Sequence, residues 1–158
     1  MKKWLFLALT AALSVSVQAA DLTEGKQYVV VEGQQHSAQP EVLEFFSFYC
    51  PHCYHFETQF HIPQKISESL PEGTLFKQYH VDFLGRQSEN LTRAWALAIA
   101  IKAEEKVKMP LFKAAQTNML NSMNDIRQIF IDNGVSAEQF DGGIDSFAVN
   151  GLVTKQQH

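Results

Sequence analysis

The chain has 158 residues, 46% hydrophobic and 19% charged, with a formal net charge of −4. That length and balance fit one ordinary globular domain, or a small domain carrying an insertion. An acidic chain with no basic run gives no footing for nucleic acid, so no nucleic-acid partner is expected.

Met1-Lys2-Lys3 is a short basic start, residues 4–17 are apolar with only small hydroxyl interruptions, and Val17-Gln18-Ala19 places small residues where a signal peptidase reads. This predicts a secretory signal over residues 1–19, cleaved after Ala19. The apolar run is shorter than the ~20 residues that span a bilayer, which argues against an anchor.

Residues 27–31, Gln-Tyr-Val-Val-Val, read as a short strand. Residues 42–46, Val-Leu-Glu-Phe-Phe, form a continuous apolar run broken by one acid, the pattern of a strand buried on both faces. A helix is expected from Cys53, with Phe56 and Phe60 as its apolar stripe and Pro63 as a kink or stop. Pro71-Glu72-Gly73 reads as a turn and residues 74–83 as a further strand. Beyond Gly85 the texture turns helical. Ser88 can cap a helix through Ile101, and a second is expected over residues 110–120. Asn124 can cap a third that stops at Gly134, and Ser136 with Gln139 forms a capping box for a fourth, through Phe140, Ile144 and Phe147. Strands followed by a run of helices predict a βαβ core with a helical subdomain attached.

The two cysteines, Cys50 and Cys53, lie three positions apart. A disulfide kept for stability would close a longer loop, because so short a loop constrains the unfolded chain least, by about 2 kcal/mol. The Cys50-Pro51-His52-Cys53 spacing therefore reads as a redox centre. At a strand-to-helix junction Cys50 falls near the helix N-terminus, where unpaired N–H groups and the dipole favour a thiolate. Cys50 is then the nucleophile and Cys53, one turn further in, resolves the mixed disulfide. Pro51 suits a first helical position. A protonated His52 would further stabilise the Cys50 thiolate and so tilt the pair toward oxidising other proteins; the plainer alternative is a solvated loop histidine.

A metal half-site is the competing reading of Cys50, His52, Cys53, His55 and His61. A closed zinc site needs four converging ligands, and no second Cys-x-x-Cys or His pair follows. No metal or other cofactor is expected. Glu44, an acid in an apolar strand ending near the motif, is a candidate for proton transfer with Cys53; an edge position or solvated pleat face is the alternative. Glu57 lies on the same helical side as Cys53 and is a second candidate, although a solvated helix face is the expectation. Of Phe45, Phe46, Phe48 and Tyr49, at least two are expected in the core and the others around the site.

Residues 42–54 together, from Val42 through Cys50-Pro51-His52-Cys53 to Tyr54, resemble the active-site segment of the DsbA family of bacterial periplasmic thiol–disulfide oxidoreductases. Gly25-Lys26-Gln27-Tyr28 resembles the start of the family's mature chain, and Leu70-Pro71-Glu72-Gly73 and Tyr79-His80-Val81 resemble its stretch after the active-site helix. Thr92-Arg93-Ala94-Trp95-Ala96 and Pro110-Leu111-Phe112 resemble its inserted helices. The resemblance implies an α/β thioredoxin-like fold. Residues 20–84 would be the N-terminal part of the thioredoxin-like domain and residues 85–158 the inserted helical domain. It implies disulfide transfer from Cys50–Cys53 to reduced, unfolded exported proteins in the periplasm. It also implies reoxidation by a DsbB-like membrane protein linked to quinone. With no added dimerisation domain visible, a monomer is expected.

The family pattern continues with two more strands, a last helix and a cis-proline loop facing the cysteines, and no proline here fits that loop. The expectation is therefore a truncated member in which the C-terminal strands and helix are missing, with three strands and one open sheet edge. Its alternative function would be that of a catalytically impaired fragment acting at most as a binding or chaperone-like surface.

Overall fold

Two strands carry the redox motif, β1 (Glu41–Phe46) and β2 (Leu75–His80). They pair in parallel, with Glu41 opposite Leu75 and Phe46 opposite His80. The computed structural model describes residues 22–33 and 37–157, which fall in two units, 1–36 and 37–158. The expected signal over residues 1–19 lies outside the described residues.

In the first unit the strand expected over residues 27–31 is absent. A tight turn takes its place: Gly25 N–H donates to the Tyr28 carbonyl at 2.7 Å, and Glu24 and Tyr28 form an isolated bridge. Val29, Val30 and Val31 are exposed. A strand needs a neighbouring strand for its N–H and C=O groups, and among the described residues no strand pairs with this run.

In the second unit β1 passes into α1 (Pro51–His55), a π-helical turn (Phe56–Phe60) and α2 (Ile62–Ser69), which return the chain to β2. This is the expected βαβ unit, since parallel strands need such a crossover. The helix breaks at His61, whose φ of 51° is left-handed, and Pro63 opens α2 instead of ending the helix before it. The turn at residues 71–74 is closed by Thr74 N–H donating to the Pro71 carbonyl at 3.0 Å, with Gly73 at φ 82°. β2 is shorter than the run that suggested it, because the chain bends away after Val81.

Five helices follow: α3 (Ser88–Ile101), α4 (Glu104–Gln116), α5 (Met123–Asp132), α6 (Ala137–Gly143) and α7 (Phe147–Gln157). The box on Ser136 and Gln139 forms as expected, but the helix it opens ends at Gly143 rather than running through Phe147, which begins α7. Three other expectations fail for local reasons. Ser88 lies inside α3 and donates to the Asp82 carbonyl, so it is not the cap. α5 is capped by Ser122, boxed with Asp125, because Ser122 precedes the first helical residue while Asn124 is already inside. α4 begins six residues before Pro110, which the helix accommodates in its interior. Among the described residues no helix is long and apolar enough to cross a membrane.

The sheet cannot bury a core alone, and the helices supply the other half. Phe46 and Phe48 pack edge-on to Trp95, at 5.4 and 5.6 Å between ring centroids, and close on Phe112, at 5.6 and 4.8 Å. His80 stacks on Phe48 at 5.1 Å. Backbone groups of β2 find side-chain partners from the helices. Trp95 Nε1–H donates to the Gln78 carbonyl at 2.8 Å, and His80 N–H donates to Gln156 Oε1 at 2.9 Å. β1 is not buried on both faces: Phe46 points into the core, while Leu43 and Phe45 are exposed, because no second layer covers that face among the described residues.

Phe112→Ala is expected to lower stability by about 3–5 kcal/mol in chemical denaturation, since the cavity would open among the rings of Phe46, Phe48 and Tyr54. His80 is buried and neutral, with burial pushing its imidazole down to about 3. The unfolded chain binds that proton near pH 6.5 and the folded chain does not, so stability is lost as pH falls from 6.5 toward 3. His80→Phe is expected to flatten that loss, as judged by urea midpoints between pH 7 and 4.

Candidate active site

β1 delivers the motif through a turn anchored at Phe48, which is fully buried. Tyr49 N–H donates to Ser47 Oγ at 3.1 Å, and Cys50 N–H donates to the Ser47 carbonyl at 3.0 Å. Gly85 stands against this turn at φ 93°, and a Cβ there would lie 2.1 Å from the Tyr49 ring, so only glycine fits. Cys50 is the N-cap of α1, in extended backbone, and its Sγ accepts from Cys53 N–H at 3.4 Å. Pro51 fills the first helical position and His52 is exposed.

Cys53 lies one turn in, packed against the core and unbridged. Burial pushes its thiol up to about 11. The neighbouring Cys50 sulfur and the charge of Glu44 act in the same direction, and a hydrogen bond from the Ser47 backbone opposes them. The two sulfurs thus sit in unlike surroundings, one at a helix cap and one against the core.

Beneath the helix lies a polar cluster only half visible in the sequence. Glu44 is half-buried on β1 and accepts from Gln78 Nε2 at 2.8 Å. Burial raises its carboxyl above the ordinary carboxylate range, against the lowering effect of Gln78; the Glu57 charge raises it further and Lys108 lowers it. The expected solvated position of Glu57 is wrong. Its side chain is 3% exposed, and it pairs with Lys108 Nζ at 3.2 Å. It also accepts from Gln78 Nε2 at 2.8 Å and Gln64 Nε2 at 3.2 Å. The helical face that carries Cys53 turns inward, and α4 brings a cation to meet the acid there.

Lys108 and Gln78 escaped the sequence reading. Lys108 had left a signal: with Val107, Leu111, Phe112 and Ala115 it lies on the buried stripe of α4. A lysine on an apolar stripe asks for a buried partner. Of the aromatic residues beside the motif, Phe46 and Phe48 are core, Tyr49 is half-buried and Phe45 is exposed. Among the described residues no cluster of three or more His, Cys, Asp or Glu converges as a metal site.

In a Cys50→Ser variant, alkylation of Cys53 by iodoacetamide is expected to accelerate with pH throughout the range 7 to 10, because its thiol remains mostly protonated there. A rate plateau below pH 9 would contradict the burial argument.

Comparison with known proteins bears on this geometry. The family described as DSBA-like thioredoxin domain matches residues 41–158. The thiol:disulfide interchange protein DsbA of Haemophilus influenzae is 65% identical over 99% of this chain and 77% of its own length. That of Escherichia coli is 46% identical, over 99% of this chain and 76% of its own length. A crystal structure of the Proteus mirabilis DsbA superposes with a TM-score of 0.76 at 47% identity, covering 87% of this chain and 72% of that one. A complex of that protein with a non-covalently bound peptide gives 0.78, at the same identity, over 87% and 74%. A redox pair on a βαβ unit with helices following it, matched across nearly the whole chain, places this protein in the DsbA family of thiol:disulfide oxidoreductases.

Proposed function

We propose that the chain oxidises dithiols of reduced, unfolded exported proteins in the periplasm, with Cys50 as the exchanging sulfur and Cys53 as its buried partner. The observation that carries this reading is the asymmetry of the pair: Cys50 caps a helix, while burial keeps the Cys53 proton on. In the disulfide form, a substrate thiolate attacks Cys50 Sγ. A Cys50–substrate disulfide forms, the Cys50–Cys53 bond breaks, and Cys53 leaves with the electron pair. The carboxyl of Glu44, whose proton burial holds to higher pH than an ordinary carboxyl would keep it, supplies the proton. Glu57 holds the hydrogen-bond network around Glu44.

A second substrate thiolate then attacks the substrate sulfur of the mixed disulfide. Cys50 departs as a thiolate, stabilised by the α1 N–H groups and the helix dipole. Two electrons have passed from substrate to enzyme. Pro51 and an imidazolium at His52 favour that thiolate, and stabilising the reduced form makes the disulfide a stronger oxidant. A DsbB-like membrane protein linked to quinone would remove the electrons. The leader-like residues 1–19 support export, and the Proteus relative's peptide complex supports a peptide substrate.

The test is trapping. With a dithiol peptide and the disulfide form, the unaltered chain is expected to release oxidised peptide. Given a peptide disulfide, reduced Cys53→Ser is expected to accumulate a Cys50–peptide adduct by mass spectrometry, and reduced Cys50→Ser to lose at least about 90% of it. Equal trapping by both variants would sink the assignment of roles.

A further inference from the structure

The buried cation beneath the helix comes from α4, and its contacts decide how one amide points. Lys108 has a side chain 7% exposed, and its Nζ lies 3.1 Å from Gln78 Oε1 and 3.2 Å from Glu57 Oε1. A lysine ammonium has only donors, so the Gln78 atom facing it is the carbonyl oxygen. The other end of the amide is then the NH2 group, with two hydrogens. One goes to Glu57 Oε1 and one to Glu44 Oε2, each at 2.8 Å. Gln78 is itself pinned, because its backbone carbonyl accepts from Trp95 Nε1.

We propose that Lys108 is a positioning residue for disulfide exchange: by fixing the orientation of the Gln78 amide, it holds the Glu44 carboxyl in place as the proton partner of Cys53. The proposal rests on the reading of Glu44 given above and extends it to a residue fifty-five positions from Cys53. Without Lys108 the Gln78 oxygen loses its donor and the amide one of the contacts that order it, which weakens the hydrogen bond that favours a charge on Glu44. Each element packed here contributes one group that Glu44 feels: Cys53 from α1, Glu57 from the π turn, Gln78 from β2 and Lys108 from α4. Glu105 reaches Lys108 only from the surface, at 3.9 Å. One cation thus serves two acids. Glu57 pairs with it directly, while Glu44 meets it through the Gln78 amide and feels its charge at longer range.

The proton balance is simple. When Cys53 leaves during substrate oxidation, Glu44–COOH gives it a proton. When Cys53 is reoxidised, the Glu44 carboxylate takes that proton back. Loss of Lys108 removes two influences that favour the carboxylate, its own charge and the ordered amide.

The experiment uses the full chain with Lys108→Met, Lys108→Arg, Gln78→Leu and Glu44→Gln. Two readouts are followed against pH: the infrared C=O band of the protonated carboxyl that Glu44→Gln deletes, and the rate of dithiol-peptide oxidation. Lys108→Met is expected to move the disappearance of the band and the rate inflection together to higher pH. Lys108→Arg, still a donor-only cation, is expected to restore both. Gln78→Leu is expected to shift them in the same direction, and adding Lys108→Met to it should move them less than the sum of the two shifts. If Lys108→Met fails to fold, Gln78→Leu and Lys108→Arg decide between them. A lowered melting temperature with both pH responses unmoved would overturn the positioning role. Persistence of the rate inflection in Glu44→Gln would instead overturn the underlying reading of Glu44, even where the band still moves in Lys108→Met.

Discussion

Two six-residue strands have too little surface to form a core, so the redox site depends on the aromatic clamp that joins them to the helices. Phe46 ends β1, Phe48 begins the turn to the cysteines, and both close on Trp95 and Phe112. Because Phe48 is fixed, the Ser47 carbonyl and hydroxyl are fixed, and they hold the N–H groups of Cys50 and Tyr49. The position of Cys50 at the cap is therefore a consequence of packing several residues away. Gln116, from the end of α4, adds to the same anchorage by donating to the Phe48 carbonyl at 2.8 Å.

The same helices that complete the core also complete the electrostatics. Burying two carboxylates under a redox helix would be costly without compensation. Here one lysine and two glutamines are spread across α4, α2 and β2 to meet them. The arrangement pairs Glu57 with the lysine directly and leaves Glu44 with the Gln78 amide as its hydrogen-bond partner. Cys53 shares this half-dry environment, and Cys50 faces the helix end instead. Two sulfurs three residues apart thereby acquire different chemistry.

Interaction between the helical segment and the strand pair gives α4 a role beyond cover. Phe112 meets Tyr54 of the active-site helix at 5.8 Å, and Lys108, one turn away, meets Glu57 below it. Packing and charge from a single helix thus bear on the same short stretch of chain. The π turn from Phe56 to Phe60 and the left-handed His61 lie where the chain passes from the redox helix to the return crossover. π-helical turns occur often at functional sites, and this one carries the buried acid.

What the sequence determined by itself was local. Cys-x-x-Cys spacing, Pro51 after Cys50, the box at Ser136 and Gln139 and the turn at Gly73 all act within a few residues, so their geometry is written in adjacent side chains. The family and its chemistry followed from one such segment. The fate of residues 27–31, the exposed face of β1 and the burial of Glu57 were decided by what lies alongside in space. A strand depends on a neighbour, and a buried charge depends on a counter-ion that can come from anywhere in the chain. Lys108 stands fifty-one positions beyond Glu57, and only the fold brings them within 3.2 Å. The two sulfurs and their expected division into attacker and resolver were legible from the start; the desolvation of Cys53 and its hydrogen-bonded surroundings belong to the tertiary structure, because they are properties of surroundings and not of spacing.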